Sequence, residues 1–194
     1  MRARPRLVIA SGNAGKLREY RDLLRDAGVD IVAFDSEVDE VGDTYAENAR
    51  LKAETALVRS GLPALGDDSG IELDALDGFP GIRSARLGPT QKERTAELLS
   101  RLHGVPRPWR ARFVCVIALA APNREMQFFE GECRGDVVPE WRGEAGFGYD
   151  PIFLVPRTGK TFGETAPEEK RKYSHRAAAA RSLLESGALR QLGR

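Results

Sequence analysis

The segment LVIASGNAGKLREYRDLLRDAGVDIVAF, residues 7–34, decides the class of fold. Its first four residues are a short apolar run of the kind that forms a buried parallel strand. Apolar residues then recur at helical spacing as far as Ala27, and Gly28 follows as a C-terminal stop. Residues 31–34 are a second apolar run. The segment therefore predicts a strand, a helix and a second strand, paired in parallel through a right-handed crossover.

The rest of the chain continues this alternation of helices and strands. Two Thr-x-x-Glu capping boxes each predict the start of a helix, and a Pro-Asn turn between two apolar runs predicts an antiparallel hairpin. We expect an α/β fold in which residues 1–194 form a single domain with a mixed central β-sheet and flanking helices. The predicted elements are, in order, a helix from Thr44 to Gly61, a helix from Thr90 to Leu102, strands at 112–121, 126–133 and 151–155, and a helix from Ser174 to Leu189.

Composition excludes several classes of protein. The 194 residues are 41% hydrophobic and 30% charged, with a net charge of +1, so the bulk charge does not favour a nucleic-acid partner. No apolar run approaches the length of a membrane span, and no signal-peptide core follows the N-terminus. Two cysteines and two histidines show no zinc-binding spacing. We therefore expect a reduced, cytoplasmic protein with two buried thiols and no membrane or nucleic-acid partner.

The stretch Gly66-Asp67-Asp68-Ser69-Gly70 is the first candidate for chemistry. Adjacent side chains on an extended backbone point to opposite faces, so Asp67 and Asp68 should have different roles. One interpretation is a site that binds a divalent metal and activates water. The alternative is a tight turn, because Asp, Ser and Gly are the residues that turns prefer. Taken alone, the residue types favour the turn.

The loop SGNAGK, residues 11–16, connects the first predicted strand to the first predicted helix. A helix N-terminus offers unpaired N–H groups and the positive end of the dipole, which together favour a phosphate. Lys16 would add a positive charge. The spacing matches neither a P-loop nor GxGxxG, and an ordinary turn between strand and helix remains the alternative.

Three other stretches carry side chains that suit a ligand. In the acidic loop, Glu40 and Glu47 are possible metal carboxylates, although Glu47 is more simply explained by the capping box. Two aromatic residues lie among the glycines of GFGYDP, residues 146–151, where they could stack on a base or pack in the core. Lys170 and the His175-Arg176 pair lie near a helix start, where a cation opposes the dipole, which hints at a ligand role. Together these features suit a nucleoside triphosphate with a divalent metal.

The chain resembles the inosine triphosphate pyrophosphatase family, also called dITP/XTP pyrophosphatases. The resemblance extends from residue 7 to about residue 185. Each motif alone is modest, but all seven occur in the family's order. They are SGNAGK at 11–16, TYAEN at 44–48, DDSG at 67–70, GIRSAR at 81–86, GFGYDPIF at 146–153, EEK at 168–170 and SHR at 174–176.

This resemblance implies an elongated, two-lobed fold with a cleft, a homodimer, and Mg²⁺-dependent hydrolysis of a purine nucleoside triphosphate. The expected substrates are ITP, dITP and XTP, cleaved to the monophosphate and pyrophosphate. It assigns the general base to Asp68, and the metal ligands to Asp68 and Glu40. The implied substrate-binding residues are Ser11, Gly12, Asn13, Ala14, Gly15, Lys16, Ser69, Phe147, Gly148, Tyr149, Asp150, Lys170, His175 and Arg176. Asp67 is left as support for its neighbour.

Base selection follows from hydrogen bonding. Hypoxanthine and xanthine have an acceptor at the six position, where adenine has a donor, so a buried donor in the site would discriminate strongly. We predict that Arg176, with His175 and the backbone near residues 147–149, supplies it.

Two alternatives remain open: a pyrophosphatase of the Maf type, which lacks this order of motifs, and a nucleotide- or phosphosugar-binding module without catalysis. The segment after Arg86 is shorter than in many members of the family, which leaves the details of the dimer open.

Overall fold

The computed structural model describes residues 4–35, 38 and 41–192. Within these ranges the strands are β1 (Arg6–Ala10), β2 (Asp30–Phe34), β3 (Ala64–Leu73), β4 (Trp109–Ala120), β5 (Gln127–Val137), β6 (Phe153–Val155) and β7 (Lys160–Thr161). They form one sheet in the order β2-β1-β3-β4-β5-β6-β7. Strand β1 pairs in parallel with β2 and β3, and β6 pairs antiparallel with β5 and β7. The predicted mixed sheet and the parallel pairing of the first two strands are confirmed.

The helices connect and flank these strands. They are α1 (Ala14–Leu23), α2 (Tyr45–Ser60), α3 (Gln91–Arg101), α4 (Pro167–Lys170) and α5 (His175–Glu185), with short 3₁₀ turns at Asp74–Leu76, Gly81–Arg86, Asp150–Ile152, Phe162–Glu164 and Ala188–Gln191. No helix in the described part of the chain has both the length and the apolarity that a membrane span needs.

Local hydrogen bonds explain where α2 and α3 begin. The hydroxyls of Thr44 and Thr90 accept hydrogen bonds from the third helical N–H groups, and the Glu47 and Glu93 carboxylates accept from the cap backbones in return. Both predicted capping boxes are confirmed. Helix α2 also ends at Gly61 as predicted, with a left-handed φ of 68°.

The predicted end of α1 is wrong by several residues. The helix ends at Leu23, and Leu24 leaves the helical region with φ −104° and ψ 12°. Leu24 is fully buried, and the Ala27 N–H bonds to its carbonyl, so a turn leads the chain towards β2. Gly28 lies in this turn rather than at the helix end. The last predicted helix likewise ends early, at Glu185, and a 3₁₀ turn follows it.

The chain divides into two compact units. The first comprises the described parts of residues 1–68, 115–131 and 176–194, and the second comprises residues 69–114 and 132–175. In the first unit α1 and α5 cover one face of the sheet, where Tyr20, Leu24 and Leu183 pack with Ile9 and Leu65. Helix α2 packs with alanines on the other face. Ala49 and Ala53 lie with Val116, Ala118 and Ala120 of β4, and Ala56 lies with Val8, Ala10 and Ala64 of β1 and β3.

Gly66 allows α2 to pack this closely. A Cβ atom added at Gly66 would lie 2.1 Å from the Ala49 carbonyl oxygen and 2.7 Å from the Ala53 nitrogen, both backbone atoms. Only glycine therefore fits at this point of β3 without moving the helix.

The second unit has an aromatic core. Phe113 lies 4.5 Å from Phe153 between ring centroids, and Phe162 stacks on Phe153 at 5.3 Å. Trp109, Tyr149 and several aliphatic residues complete the cluster. Alternate residues of β4, β5 and β6 contribute to this cluster, so these side chains are directed to one side of the strands.

The two cysteines are free and buried, which confirms that prediction. Burial raises the pKa of both thiols, that of Cys133 to about 11, so neither is a thiolate at neutral pH.

Because the thiolate is the reactive form, we expect neither cysteine to react rapidly with Ellman's reagent in the native protein. After denaturation in guanidinium both should react at once. Rapid reaction of one thiol in the native state would contradict the burial described here.

Candidate active site

The stretch of residues 66–70 lies inside β3, so the alternative of a tight turn is wrong. The extended backbone directs Asp67 towards the face covered by α1 and α5, and Asp68 towards α2. Ser69 follows within the same strand. The expectation that the two side chains point to opposite faces is confirmed, and their different roles stay a prediction.

Asp67 lies at the centre of a buried group of hydrogen-bond donors. Its Oδ2 accepts from the Tyr20 hydroxyl at 2.6 Å and from Arg176 Nε at 2.8 Å. The Cys115 thiol donates to the same oxygen at 3.3 Å, and the Lys16 ammonium forms an ion pair with Oδ1. The side chain of Asp67 is completely enclosed, with 0% exposure.

The surrounding charges keep this group ionised. Burial raises the pKa of Asp67, but the Arg176 guanidinium and the Lys16 ammonium outweigh that effect and hold the pKa well below its usual range. Burial lowers the pKa of Arg176, but the carboxylates of Asp67 and Glu19 hold it well above its usual value. Asp67 is therefore an anion between two cations at neutral pH.

Arg176 is buried and bound to carboxylates of the protein itself, which recognition of a base would not by itself require. Its side chain is 1% exposed, Nε donates to Asp67, and Nη1 pairs with Glu19. These contacts hold the guanidinium against two carboxylates of the first unit. Contact between Arg176 and a base stays a prediction.

Asp68 is held by helix α2. Lys52 Nζ pairs with Oδ1 at 2.9 Å, and Asn48 Nδ2 donates to Oδ2 at 3.3 Å. The Lys52 ammonium also donates to the backbone carbonyl of Asp67 at 3.0 Å, and Lys16 Nζ lies 3.3 Å from the same oxygen. Two ammonium groups thus meet at one carbonyl beside the carboxylate of Asp68.

Sequence reasoning did not identify Lys52 or Asn48. The signal was present, because the two residues are four apart and therefore lie on one face of α2. That face is otherwise made of the buried residues Ala49, Ala53 and Ala56. A lysine and an asparagine among buried alanines need partners inside the protein, and Asp68 supplies them.

The loop at residues 11–16 is organised by Asn13, the N-cap of α1. The Asn13 side chain accepts from the N–H groups of Gly15 at 2.8 Å and Lys16 at 3.0 Å, and the Asn13 N–H donates to the Ser11 hydroxyl at 3.2 Å. Two of the backbone donors expected to face a phosphate are therefore engaged by the cap. The Lys16 side chain, with 13% exposure, is the cation that this loop contributes.

A second group of predicted site residues lies in the second unit. Lys170 Nζ pairs with Asp150 Oδ2 at 2.6 Å, and the same oxygen accepts from the Phe147 N–H at 2.8 Å. The ammonium lies 5.1 Å from the ring centroids of both Phe147 and Phe162. Gly146 makes room for this carboxylate, since a Cβ atom there would lie 2.0 Å from Asp150 Oδ2. Asp150 thus ties the glycine-rich loop to Lys170.

The two aromatic residues of that loop, Phe147 and Tyr149, differ in burial. Tyr149 is 4% exposed in the core of the unit, and its hydroxyl donates to the Ser84 carbonyl at 2.8 Å. Phe147 is only partly buried. His175 is also enclosed, with its ring stacked on Phe113 at 4.7 Å and 16°. On geometry, Phe147 is therefore the better candidate for stacking on a base, and Tyr149 packs as a core residue.

The predicted metal ligand Glu40 lies outside the described residues. Residues 4–35, 38 and 41–192 contain no group of three or more His, Cys, Asp or Glu side chains that could hold a metal. Mg²⁺ requires less than this, because it binds through one or two carboxylates together with phosphate oxygens and water. The hard oxygen donors of Asp68 fit that requirement.

Comparison with known proteins adds independent information. The model of the Ham1 family matches residues 7–186. The dITP/XTP pyrophosphatase of Gloeobacter violaceus is 50% identical over 180 residues, which is 92% of each chain. The dITP/XTP pyrophosphatase of Desulforamulus reducens is 46% identical over 93% of this chain and 94% of its own. The solved structure of a HAM1 protein from Coxiella burnetii superposes with a TM-score of 0.85 at 37% identity, covering 95% of this chain and 98% of the other.

Proposed function

This chain belongs to the Ham1 family, and from that premise we propose that it is a nucleoside-triphosphate pyrophosphatase. It hydrolyses the non-standard purine nucleotides ITP, dITP and XTP to the monophosphate and pyrophosphate, and so removes them from the nucleotide pool. One observation on the structure supports the proposal most directly. The Lys16 and Lys52 ammonium groups meet at the Asp67 carbonyl, beside the buried carboxylate of Asp68.

The charges in this cluster support the proposal of a metal cofactor. The described contacts combine the cations Lys16, Lys52 and Arg176 with the carboxylates Glu19, Asp67 and Asp68. Carboxylates thus lie against each of these cations, and a divalent cation that enters with the substrate would add positive charge for the phosphates. Mg²⁺ suits both the phosphate oxygens and a carboxylate. We propose that Asp68 and Glu40 hold it.

Asp68 is the proposed general base. Lys52 and Asn48 each donate to one of its oxygens and fix its orientation. An ionised carboxylate accepts hydrogen bonds through about four lone-pair sites, which suits both a general base and a ligand for a hard cation. Asp68 would take a proton from the water that attacks the α–β linkage, while Lys16 and Lys52 offset charge on the phosphates. When bound, Mg²⁺ would supply further charge stabilisation.

We propose that the purine contacts Phe147 and Lys170. Phe147 offers a partly buried ring for stacking, and the buried Lys170 ammonium is a donor suited to the six-position oxygen of hypoxanthine or xanthine. His175 and Arg176 are further proposed base contacts. The other proposed substrate-binding residues are Ser69, Gly148, Tyr149 and Asp150. Gly12 and Ala14, with Ser11, Asn13, Gly15 and Lys16, form the proposed phosphate loop.

A panel of triphosphates tests the function. With MgCl₂, we expect ITP, dITP and XTP to yield monophosphate and pyrophosphate. Their kcat/KM should be at least ~10-fold above that for ATP, because the six-position amino group of adenine would face a hydrogen-bond donor of the site. Excess EDTA should abolish turnover. The measurement is product identity by ion-exchange chromatography.

The other outcomes identify the alternatives. Diphosphate and inorganic phosphate as products would contradict the proposed cleavage site. Preference for pyrimidine or modified nucleotides would favour a Maf-type enzyme, and binding without any product would favour a non-catalytic module. Comparable hydrolysis of ITP and ATP would reject the proposed base selection.

We propose further that the single 1–194 domain acts as a homodimer in the cytoplasm, on free nucleotides rather than nucleic acid. Light scattering after size-exclusion chromatography measures the oligomeric state, and a mass of one chain would reject the dimer.

A further inference from the structure

The two carboxylate oxygens of Asp67 accept from different sets of donors. Tyr20, Cys115 and Arg176, from α1, β4 and α5, all donate to Oδ2. Lys16 pairs with Oδ1 and also approaches the Asp67 carbonyl. One oxygen is therefore surrounded by groups of the protein interior, and the other faces the cation of the loop at residues 11–16.

We propose that Asp67 is a positioning residue, which holds the Lys16 ammonium in place to bind the triphosphate chain. This inference rests on the proposed function and assigns a specific role to a residue that the family resemblance left as support. The donors to Oδ2 fix the rotation of the carboxylate, so that Oδ1 points to Lys16.

The physical reason is conformational freedom. A lysine side chain is a flexible four-carbon stem that ends in a compact, strongly hydrated charge. A ligand that binds a mobile lysine must immobilise it, and that cost lowers affinity. The Asp67 carboxylate and carbonyl already order Lys16 before a phosphate arrives.

The same geometry argues against a base role for Asp67. Its side chain is completely enclosed, and both oxygens accept from groups of the protein. A general base must come within hydrogen-bond reach of the water that it activates. Asp67 therefore acts through Lys16 rather than on the reacting atoms.

A double-mutant cycle tests this, with inorganic tripolyphosphate as the probe and calorimetry in MgCl₂ as the measurement. Asp67→Asn and Lys16→Met should each weaken tripolyphosphate binding by about tenfold, equivalent to about 1.4 kcal/mol. Because Asp67 acts through Lys16, Asp67→Asn on the Lys16→Met background should weaken it by no more than about twofold further. Lys92→Met, the same change at an exposed position of α3, should leave the affinity unchanged.

Tyr20→Phe keeps the test valid if Asp67→Asn fails to fold. This substitution removes one donor to Oδ2 without changing any charge. We expect it to weaken tripolyphosphate binding about two- to threefold, and to have no effect in the Lys16→Met background. A purely structural role for Tyr20 would lower thermal stability equally in both backgrounds, and would leave the affinity of the folded protein unchanged.

The outcomes separate this inference from the proposed function. Additive effects of Asp67→Asn and Lys16→Met, or normal tripolyphosphate affinity in folded Asp67→Asn, would overturn the positioning role even if the wild type hydrolyses dITP. A wild type that binds tripolyphosphate with the predicted coupling, but releases no pyrophosphate from dITP, would overturn the proposed function alone. Absence of tripolyphosphate binding in the wild type would overturn the positioning role.

Discussion

Replacement of Asp68 by asparagine is expected to lower kcat for dITP by ~100-fold or more, while the protein stays folded. The amide has nearly the same shape as the carboxylate, and its oxygen can still accept from Lys52 or from Asn48. It cannot take a proton from water, and it is a weaker ligand for a divalent cation. The steady-state rate of pyrophosphate release measures the effect, and circular dichroism checks the fold.

A matched control is available a few residues along the chain. Asp74 is exposed in the 3₁₀ turn that follows β3, so Asp74→Asn makes the same chemical change outside the cluster. This variant should hydrolyse dITP at the wild-type rate. If Asp68→Asn retained near-normal turnover at saturating Mg²⁺, Asp68 would be neither the base nor a required metal ligand.

Replacement of Gly66 by alanine is expected to destabilise the protein by about 3 kcal/mol, the upper part of the range for overpacking a core. The added Cβ would lie 2.1 Å from the Ala49 carbonyl oxygen, so the backbone of α2 must move. Because α2 carries Asn48 and Lys52, the same displacement withdraws the donors that hold Asp68. Activity should therefore fall with stability. Urea denaturation measures the free energy of unfolding.

Gly61→Ala separates steric overlap from backbone conformation. Gly61 has a left-handed φ of 68°, but an added Cβ atom would meet no atom within 4 Å. This substitution should cost only about 1 kcal/mol and leave turnover per folded molecule unchanged. Equal destabilisation by the two substitutions would show that close packing between α2 and β3 is not what requires glycine at position 66.

Elements with strong local signals were predicted well. The capping boxes at Thr44 and Thr90 begin their helices because the side-chain and backbone groups involved are only three residues apart. The apolar runs of β1 and β2 likewise identified two buried strands with a helix between them. The end of α1 was missed because Leu24 is drawn into the core, and burial there outweighs the local preference for a stop at Gly28.

The candidate site was predicted only in part, for a related reason. Residue types within residues 66–70 are those of a turn, yet the segment is extended as part of β3, which lies between β1 and β4 in the sheet. The contact between Lys52 and Asp68 spans 16 residues, and that between Arg176 and Asp67 spans 109. No local pattern specifies such pairs, because they exist only once α2 and α5 lie against opposite faces of the sheet.

The amino-acid sequence alone determined the α/β class, the start of the helices and the order of motifs that resembles a nucleotide pyrophosphatase family. These depend on periodicity, capping and residue identity, which act over a few positions. Only the tertiary structure decided which groups surround Asp67 and which surround Asp68. Successive side chains of β3 point to opposite faces, so Asp67 enters the network of α1 and α5, and Asp68 meets Lys52 on α2. Their different surroundings come from the helices that cover each face.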